Sequence, residues 1–128
     1  MLKFLVAGLV LFATPAAAEI NLRISLSEQQ IYVYDDDTLI DSADISSGKT
    51  GYETPVGSYR ITRKEPYHWS KKFKAPMPYA QFFTGGIALH TGQLPGYAAS
   101  HGCVRLPNAF AKHLYEITKI GTPVVVEE

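Results

Sequence analysis

The chain has 128 residues, of which 46% are hydrophobic, with 12 basic and 12 acidic side chains. This length allows one small domain with its own core and excludes two. The even charge balance gives no reason to expect a nucleic-acid partner, and the sequence contains no internal repeat, low-complexity tract or long linker.

Residues 1–18 have the pattern of a cleaved secretory signal peptide. Lys3 supplies the positive charge, residues 4–13 form an apolar segment, and residues 16–18 are alanines suited to cleavage. The apolar segment is shorter than the roughly 20 residues that span a bilayer, which disfavours an uncleaved anchor and any stable membrane span. We therefore predict a secreted or periplasmic domain of residues 19–128, with 11 basic and 12 acidic residues once Lys3 is removed.

Strand patterns dominate the first half of the mature chain. Leu22, Ile24 and Leu26 alternate with polar residues, which is the period-two pattern of a half-buried strand. Two further strands, over 31–34 and 38–45, flank a polar turn of three aspartates, so the first three strands are predicted to form an antiparallel meander. A fourth strand is predicted over 58–63.

The second half is predicted to contain an irregular loop, short strands and one helix. Three prolines in residues 64–79 argue against a helix or a central strand there. Two short strands follow at 81–84 and 87–90, and the last is at 124–126. Residues 107–118 predict a helix with an apolar stripe that ends before Gly121. The sequence therefore predicts a mainly β domain of about seven strands with one helix.

Cys103 is the sole cysteine of a chain predicted to be exported, where cysteines normally form disulfides. An unpaired exported cysteine is either a buried small hydrophobe or a reactive thiol. Gly102 allows a tight turn just before it, and that turn could aim the amides of residues 101–103 into one hollow. These neighbours favour a nucleophile.

Two histidines compete for the role of the base that activates this thiol. His101 is close in sequence, but its ring need not face the thiol on a tight turn. His90 ends a predicted strand, and separation in sequence with convergence in space is typical of a cysteine–histidine pair. We therefore assign the base to His90, with the backbone carbonyl of Thr91 as a candidate partner for its other ring nitrogen.

The run IALHTGQLPGYAASHGCVRLPN resembles the active-site signature of the L,D-transpeptidase (YkuD-type) catalytic domain. Thr54-Pro55-Val56-Gly57 resembles the T-P-x-G turn of that family, and Met77-Pro78-Tyr79 its M-P-Y segment. The residues that match the signature are His90, Gly92, Gly96, Ser100, His101, Gly102, Cys103, Val104 and Arg105.

This resemblance implies a β-sandwich whose helix follows the catalytic cysteine. It implies that Cys103 attacks a peptidoglycan tetrapeptide stem with His90 as general base, releases D-alanine and forms a thioester, which an amine resolves during cell-wall cross-linking. The resemblance also implies an oxyanion or pocket role for Ser100, His101 and Gly102. The substrate-binding residues implied are Thr91, Gly92, Arg105 and Tyr79.

Other functions remain open from the sequence. Water could accept the acyl group, which would make the protein an L,D-carboxypeptidase or endopeptidase, and a wall-anchored protein is an alternative acceptor. A non-catalytic peptidoglycan-binding module is also compatible with the sequence. We expect no cofactor and no metal, because the two histidines and the cysteine lack a recognisable zinc spacing. The basic, aromatic segment 64–79 is either a lid over the substrate cleft or a solvated loop.

Overall fold

The structure, a computed structural model, describes residues 19–128, and the predicted signal peptide lies outside the described residues. Two β-sheets pack face to face, with one helix beside the second sheet. The elements in chain order are β1 (Ile20–Ser25), β2 (Gln30–Asp35), β3 (Thr38–Asp44), β4 (Gly57–Arg60), β5 (Arg63–Ser70), β6 (Ala75–Thr84), β7 (Ile87–Thr91), β8 (Val104–Leu106), α1 (Asn108–Ile117) and β9 (Pro123–Glu127). The mainly β class predicted from the sequence is confirmed.

The first sheet has the strand order β3-β2-β1-β9-β4. β1, β2 and β3 pair antiparallel in succession, so the predicted meander is present, and β9 pairs parallel with β1. The alternation of Leu22 and Ile24 with polar residues turns both side chains inward, where they are fully buried.

The core lies between the two sheets and under the helix. Leu89, Val104 and Leu106 enter it from the second sheet, and Ala111 and Leu114 from α1. Within residues 19–128, α1 is the only helix, and it is too short to cross a membrane.

The second sheet has the order β5-β6-β7-β8, and its last pair, β7 and β8, is parallel. Parallel neighbours need a long crossover connection. Here that connection is the loop of residues 92–103, which carries the S-H-G-C motif across the end of the sheet. All three residues of β8 therefore lie beside the last three residues of β7, from Leu89 opposite Val104 to Thr91 opposite Leu106.

The prediction of an irregular loop over residues 64–79 was wrong, because β5 and β6 form a long hairpin there. Prolines are tolerated in strands where their missing N–H faces no partner. Pro66 lies on β5, an edge strand, and Pro76 and Pro78 lie in the part of β6 that extends beyond its pairing with β7. Three prolines indicated a loop because a central strand does not tolerate them. The number of prolines could not show that these residues lie at strand edges without a partner, where proline is tolerated.

The predicted strand 58–63 is two strands in different sheets. The chain leaves the first sheet after Arg60 and joins the second at Arg63. Between them the amide of Ile61 donates to the carbonyl of Thr122, the residue just before β9 of the first sheet, whereas the amide of Thr62 donates to the carbonyl of Phe82 in the second sheet. The alternation of apolar and polar residues, with Tyr59 and Ile61 on the inner side, continues through the change of sheet. The sequence periodicity therefore did not indicate that the predicted strand divides in two.

Candidate active site

His90 and Cys103 lie on the same face of the second sheet. In the parallel register Leu89 faces Val104 and His90 faces Arg105, so Cys103, one residue before Val104, is level with Ala88. Because side chains alternate along a strand, Leu89 and Val104 point into the core, while Ala88, His90 and Cys103 point outward. Cys103 is level with Ala88, which lies two residues before His90 on the adjacent strand, so the histidine and the cysteine are diagonal neighbours. Adjacent strands are about 4.8 Å apart.

Both side chains line one pocket of about 540 Å³ on this outer face. Its walls come from the tip of the β5–β6 hairpin, the free part of β6, the end of β7 and the motif loop. The lining residues are Ser70, Phe73, Ala75, Pro76, Met77, Pro78, His90, Thr91, Gly92, Gln93, Ser100, His101, Cys103 and Arg105. The pocket thus collects most of the predicted site residues.

The imidazole of His90 is held in one orientation. Its Nδ1 lies 2.6 Å from the backbone carbonyl oxygen of Thr91, as the sequence suggested. A carbonyl can only accept, so Nδ1 carries the proton and Nε2 is left with a free lone pair. Burial lowers the pKa of His90 below its ordinary 6.5; the Thr91 bond opposes the shift, and the positive charge of Arg105 adds to it. The ring is therefore neutral at pH 7 and able to accept a proton.

Cys103 is a protonated thiol at rest. Burial raises the pKa of its thiol above the ordinary 9.0, although a backbone hydrogen bond from Ala88 and the charge of Arg105 oppose that shift. The Sγ atom lies 3.8 Å from the carbonyl oxygen of Gly86. With both partners neutral, the pair is suited to general-base activation during attack rather than to a preformed thiolate.

Ser100 fixes the turn that presents Cys103. Its hydroxyl accepts a hydrogen bond from the amide of Gly102 at 3.1 Å and donates one to the carbonyl of Cys103. Ser100 is buried, and Gly102 has φ 121°, a conformation that strongly favours glycine. The hydroxyl of Ser100 therefore faces the backbone of the turn, and the amide of Gly102 is already occupied.

Thr54 supports the same turn from the far side, a role that the sequence reasoning missed. Its hydroxyl donates to the carbonyl of Gly102 at 2.6 Å and accepts from the amide of Gly48 at 3.0 Å. Thr54 is only 2% exposed. The T-P-x-G segment was the one sequence feature that singled out Thr54. The sequence did not indicate that this turn contacts the turn that carries Cys103.

Arg105 brings a positive charge into the pocket. Within residues 19–128 its guanidinium forms no salt bridge with a carboxylate. A Cβ on Gly92 would come within 2.7 Å of the Arg105 Cγ atom, so glycine at 92 makes room for the arginine side chain. Thr91 lies at the rim, where its hydroxyl donates to Asn108 at 3.2 Å.

His101 lies in an aromatic contact at the mouth of the pocket. Phe73, from the tip of the β5–β6 hairpin, stacks on its ring with centroids 4.3 Å apart, and the Tyr52 ring meets it edge-on at 5.1 Å. The hairpin tip therefore closes one side of the pocket. Tyr67 and Trp69 of β5 are exposed instead.

Tyr79 is the predicted site residue whose side chain the structure does not bring into the pocket. Its ring packs against the main core and against Tyr115 of α1. Its backbone has φ 55°, an uncommon conformation for a non-glycine residue. Tyr79 lies between residues 75–78 of β6, which do not pair with β7, and residues 81–84, which span its pairing with β7. Among residues 19–128, no group of three or more histidine, cysteine or acidic side chains is placed to hold a metal ion.

The two-sheet β-sandwich thus holds a buried histidine and the cysteine of the S-H-G-C turn in one pocket. The family model of the L,D-transpeptidase catalytic domain, YkuD, matches residues 20–126. The chain belongs to this family.

Three relatives illustrate the similarity. A curated protein, probable L,D-transpeptidase 3 of Mycobacterium tuberculosis, is 32% identical over 101 residues, which cover 65% of this chain and 37% of the relative. The crystal structure of an L,D-transpeptidase from Stackebrandtia nassauensis is 35% identical with a TM-score of 0.81, over 88% of this chain and 57% of that one. The structure of L,D-transpeptidase 3 from M. tuberculosis in complex with a faropenem-derived adduct is 25% identical with a TM-score of 0.78, over 87% and 61%. The chain thus spans only part of the length of these relatives.

Proposed function

We propose that this protein is a peptidoglycan L,D-transpeptidase in which Cys103 forms a thioester with a stem peptide. The observation that carries the proposal is the placement of His90. Its Nδ1 donates to the Thr91 carbonyl, and its ring lines the same pocket as Cys103, which directly precedes the neighbouring strand β8. Family membership supports the reaction class.

The neutral pair dictates the order of proton transfers. As Sγ attacks the carbonyl carbon of the third stem residue, its proton passes to Nε2 of His90. The imidazolium then protonates the departing D-alanine amine, which leaves the acyl group on Cys103 as a thioester. An acceptor amine attacks this thioester, its proton passes to His90, and the thiol is regenerated as the cysteine leaves. Two easier steps replace one difficult step.

The developing oxyanion needs donors at the S-H-G-C turn. Because the Gly102 amide is bound to Ser100, we assign this role to the amides of His101 and Cys103, which flank it on the same turn. Arg105, which lacks a carboxylate partner within residues 19–128, is assigned to a carboxylate of the substrate.

We also propose that the protein acts outside the cytoplasm on the cell wall. Residues 1–18 fit a cleaved signal peptide, so the exported protein is expected to begin near Glu19. N-terminal sequencing of protein recovered from the extracytoplasmic fraction tests this. A product retaining residues 1–18 would contradict it.

Product analysis tests the reaction. The purified protein is incubated with a disaccharide-tetrapeptide, and the products are identified by mass spectrometry. Cross-linked dimers or exchanged terminal residues support transfer to an amine, whereas tripeptide alone shows that water is the acceptor. If a wall-anchored protein is the acceptor, adding it must give a protein–peptide conjugate.

Variants test the assigned roles. Cys103→Ala is expected to abolish the covalent adduct in intact-protein mass spectrometry. His90→Ala should abolish acylation at neutral pH, while His113→Ala, which changes an exposed histidine on α1, should leave it unchanged. Unchanged acylation in His90→Ala would reassign the base to His101. Retained binding to sacculi with no adduct would instead support a non-catalytic wall-binding module.

A penem offers a second probe of the nucleophile. A structural relative is known with a faropenem-derived adduct. We expect faropenem to add mass to the wild-type protein and not to Cys103→Ala.

A further inference from the structure

The distal part of the β5–β6 hairpin has one face on the catalytic pocket. Ser70 and Met77 line that pocket, and Met77 pairs with His68 in the antiparallel ladder. Side chains alternate along a strand and directly paired residues share a face, so these three point to the pocket side. Tyr67 and Trp69, which alternate with them on β5, therefore point to the opposite face.

The opposite face of the hairpin is a group of exposed rings. The side chains of Tyr67 and Trp69 are 74% and 53% exposed. Tyr67 pairs with Pro78 and Trp69 with Pro76, so two proline rings lie beside the two aromatic rings, and we call these four residues the ring platform. Within residues 19–128, neither aromatic ring of the platform stacks on another ring or on a cation. A contiguous exposed apolar patch is typical of an interaction site, whereas single exposed side chains are not.

The tip of the hairpin, between the ring platform and the pocket, is cationic. Lys71, Lys72 and Lys74 are all exposed, and among the described residues none of them forms a salt bridge. The ammonium of Lys72 lies 5.3 Å from the centre of the Phe73 ring, which closes one side of the pocket. Three unpaired cations at one turn attract carboxylates.

Flat rings beside a cationic turn suit a carbohydrate that carries acidic peptides. In the proposed function, the stem belongs to a wall polymer in which peptides hang from a linear chain of N-acetylated sugars. A sugar ring has an apolar face of C–H bonds, which the negative face of an aromatic ring attracts. Tyrosine and tryptophan also supply a large rigid contact area at a low cost in conformational entropy. Since alternate residues of a strand lie about 6.7 Å apart, the two aromatic rings can contact different sugars of one chain.

We propose that the ring platform binds a glycan strand of the wall polymer that supplies the donor stem. Sugar rings stack on Tyr67 and Trp69, and carboxylates of the attached stems face the lysines of the tip. Because the platform and the pocket are two faces of one hairpin, binding the sugars raises the local concentration of stems at Cys103. This inference rests on the proposed function, since it names the polymer whose stem Cys103 attacks.

A second copy of this chain is the alternative occupant of the ring platform. Pro66 lies on the edge strand β5, and proline at an edge discourages pairing with another strand. We therefore expect wild-type protein to sediment as a monomer at micromolar concentration. A dimer that Trp69→Ala dissociates would assign the platform to a second copy and overturn the proposal.

Fluorescence tests the contact directly, because Trp69 is the sole tryptophan of the chain. Cys103→Ala protein is titrated with glycan strands from which an amidase has removed the stem peptides, and in parallel with free tetrapeptide. The strands should change the tryptophan emission saturably, and the tetrapeptide should not. An unchanged emission with the strands, or an equal change with the tetrapeptide, would overturn the proposal.

Variants test whether the rings carry the affinity. In calorimetry with stem-free strands, Trp69→Ala and Tyr67→Ala should each weaken binding about fivefold. Trp69→Phe keeps an aromatic ring and should retain most of the affinity. Leu39→Ala is the matched control, because Leu39 is 52% exposed on β3, at the edge of the other sheet, and it should bind as the wild type does. Wild-type affinity in Trp69→Ala, or an equal loss in Leu39→Ala, would refute stacking on the platform.

The lysines of the tip are tested separately. Replacing Lys71, Lys72 and Lys74 together by glutamine should weaken binding of stem-bearing strands at low salt and leave the binding of stem-free strands unchanged. If this triple variant loses the stem-free strands as well, charge rather than ring stacking holds the sugars, and the proposal fails.

Kinetics separates this inference from the proposed chemistry. Trp69→Ala should be acylated by free tetrapeptide as the wild type is, whereas its KM for stem-bearing strands should rise about fivefold at an unchanged limiting rate. If both substrates acylate Cys103 and neither KM changes in Trp69→Ala, the platform is refuted while the proposed function stands. If the strands bind at Trp69 but neither substrate ever acylates Cys103, the proposed function fails while the platform stands.

Discussion

Thr54→Val removes the hydroxyl that holds the cysteine turn while keeping the shape of the side chain. The hydroxyl bridges the amide of Gly48 and the carbonyl of Gly102 and is almost fully buried. Leaving two buried backbone groups without partners costs about 1–3 kcal/mol each, so we expect a loss of about 2–6 kcal/mol in the free energy of unfolding. Small domains have about 5–15 kcal/mol in total.

The same substitution should slow acylation in the molecules that remain folded. Without its anchor the Gly102 carbonyl is free to move, and Cys103 moves with it. A displacement of about 1 Å at a reacting group can cost on the order of 100-fold in rate. We expect a 10- to 100-fold lower rate of acylation at saturating peptide, with little change in KM.

The assay combines urea unfolding with single-turnover acylation followed by intact-protein mass spectrometry. It is run near 15 °C, where stability is typically close to its maximum. Thr54→Ser keeps the hydroxyl and should restore the rate. Thr118→Val is the matched control, because its buried hydroxyl bonds Gln81 and Leu114 beneath α1. It should lose stability without losing rate. A folded Thr54→Val protein that acylates at the wild-type rate would refute the positioning role.

Three further predictions concern the charge, the packing and the hairpin of the site. Arg105→Gln removes a positive charge that lowers the pKa of His90, so the pKa of His90 should rise. The acid limb of the acylation pH profile should therefore move to higher pH. If the acid limb does not move, the charge of Arg105 does not influence the pKa of the base. Gly48→Ala would place a Cβ 1.9 Å from a backbone carbonyl oxygen, so it should destabilise the fold by about 3 kcal/mol or more in urea unfolding, and a wild-type midpoint would contradict this. Phe73→Ala opens one side of the pocket without touching the reacting groups, so KM for the peptide should rise several-fold, or about 1 kcal/mol, while the limiting rate stays within twofold. A fall in the limiting rate alone would place Phe73 in the chemistry instead.

Local pattern was enough for the elements whose neighbours are close in sequence. The alternation around Leu22 and Ile24 predicted β1, and the meander followed from short turns. The stripe of α1 was equally local, with Leu114 buried and Phe110 and Ile117 packed against the core. The β5–β6 hairpin was missed because three prolines argued against a strand in residues 64–79. Whether Pro76 and Pro78 face a partner strand depends on where β7 ends, which is tertiary information.

The residues of the site likewise fall into those that the sequence predicted and those that only the structure identified. Cys103, His90 and the carbonyl of Thr91 were accessible from sequence, because the single cysteine lies in the S-H-G-C motif and the histidine lies at the end of a predicted strand. The support from Thr54 was not accessible, since 48 residues separate it from Gly102. Tyr79 was expected to contact substrate, but its side chain is turned to the core by the kink in its own backbone.

By itself the sequence determined the mainly β class and singled out Cys103 and His90 as the candidate nucleophile and base, because each depends on residue type and local spacing. The tertiary structure alone decided how these groups meet. Parallel pairing of β7 and β8 puts His90 and Cys103 on one face, and burial in that pocket makes both neutral at rest. It also left one edge of β6 unpaired beside them. Register, burial and strand pairing are properties of segments distant in the chain, so no local pattern encodes them.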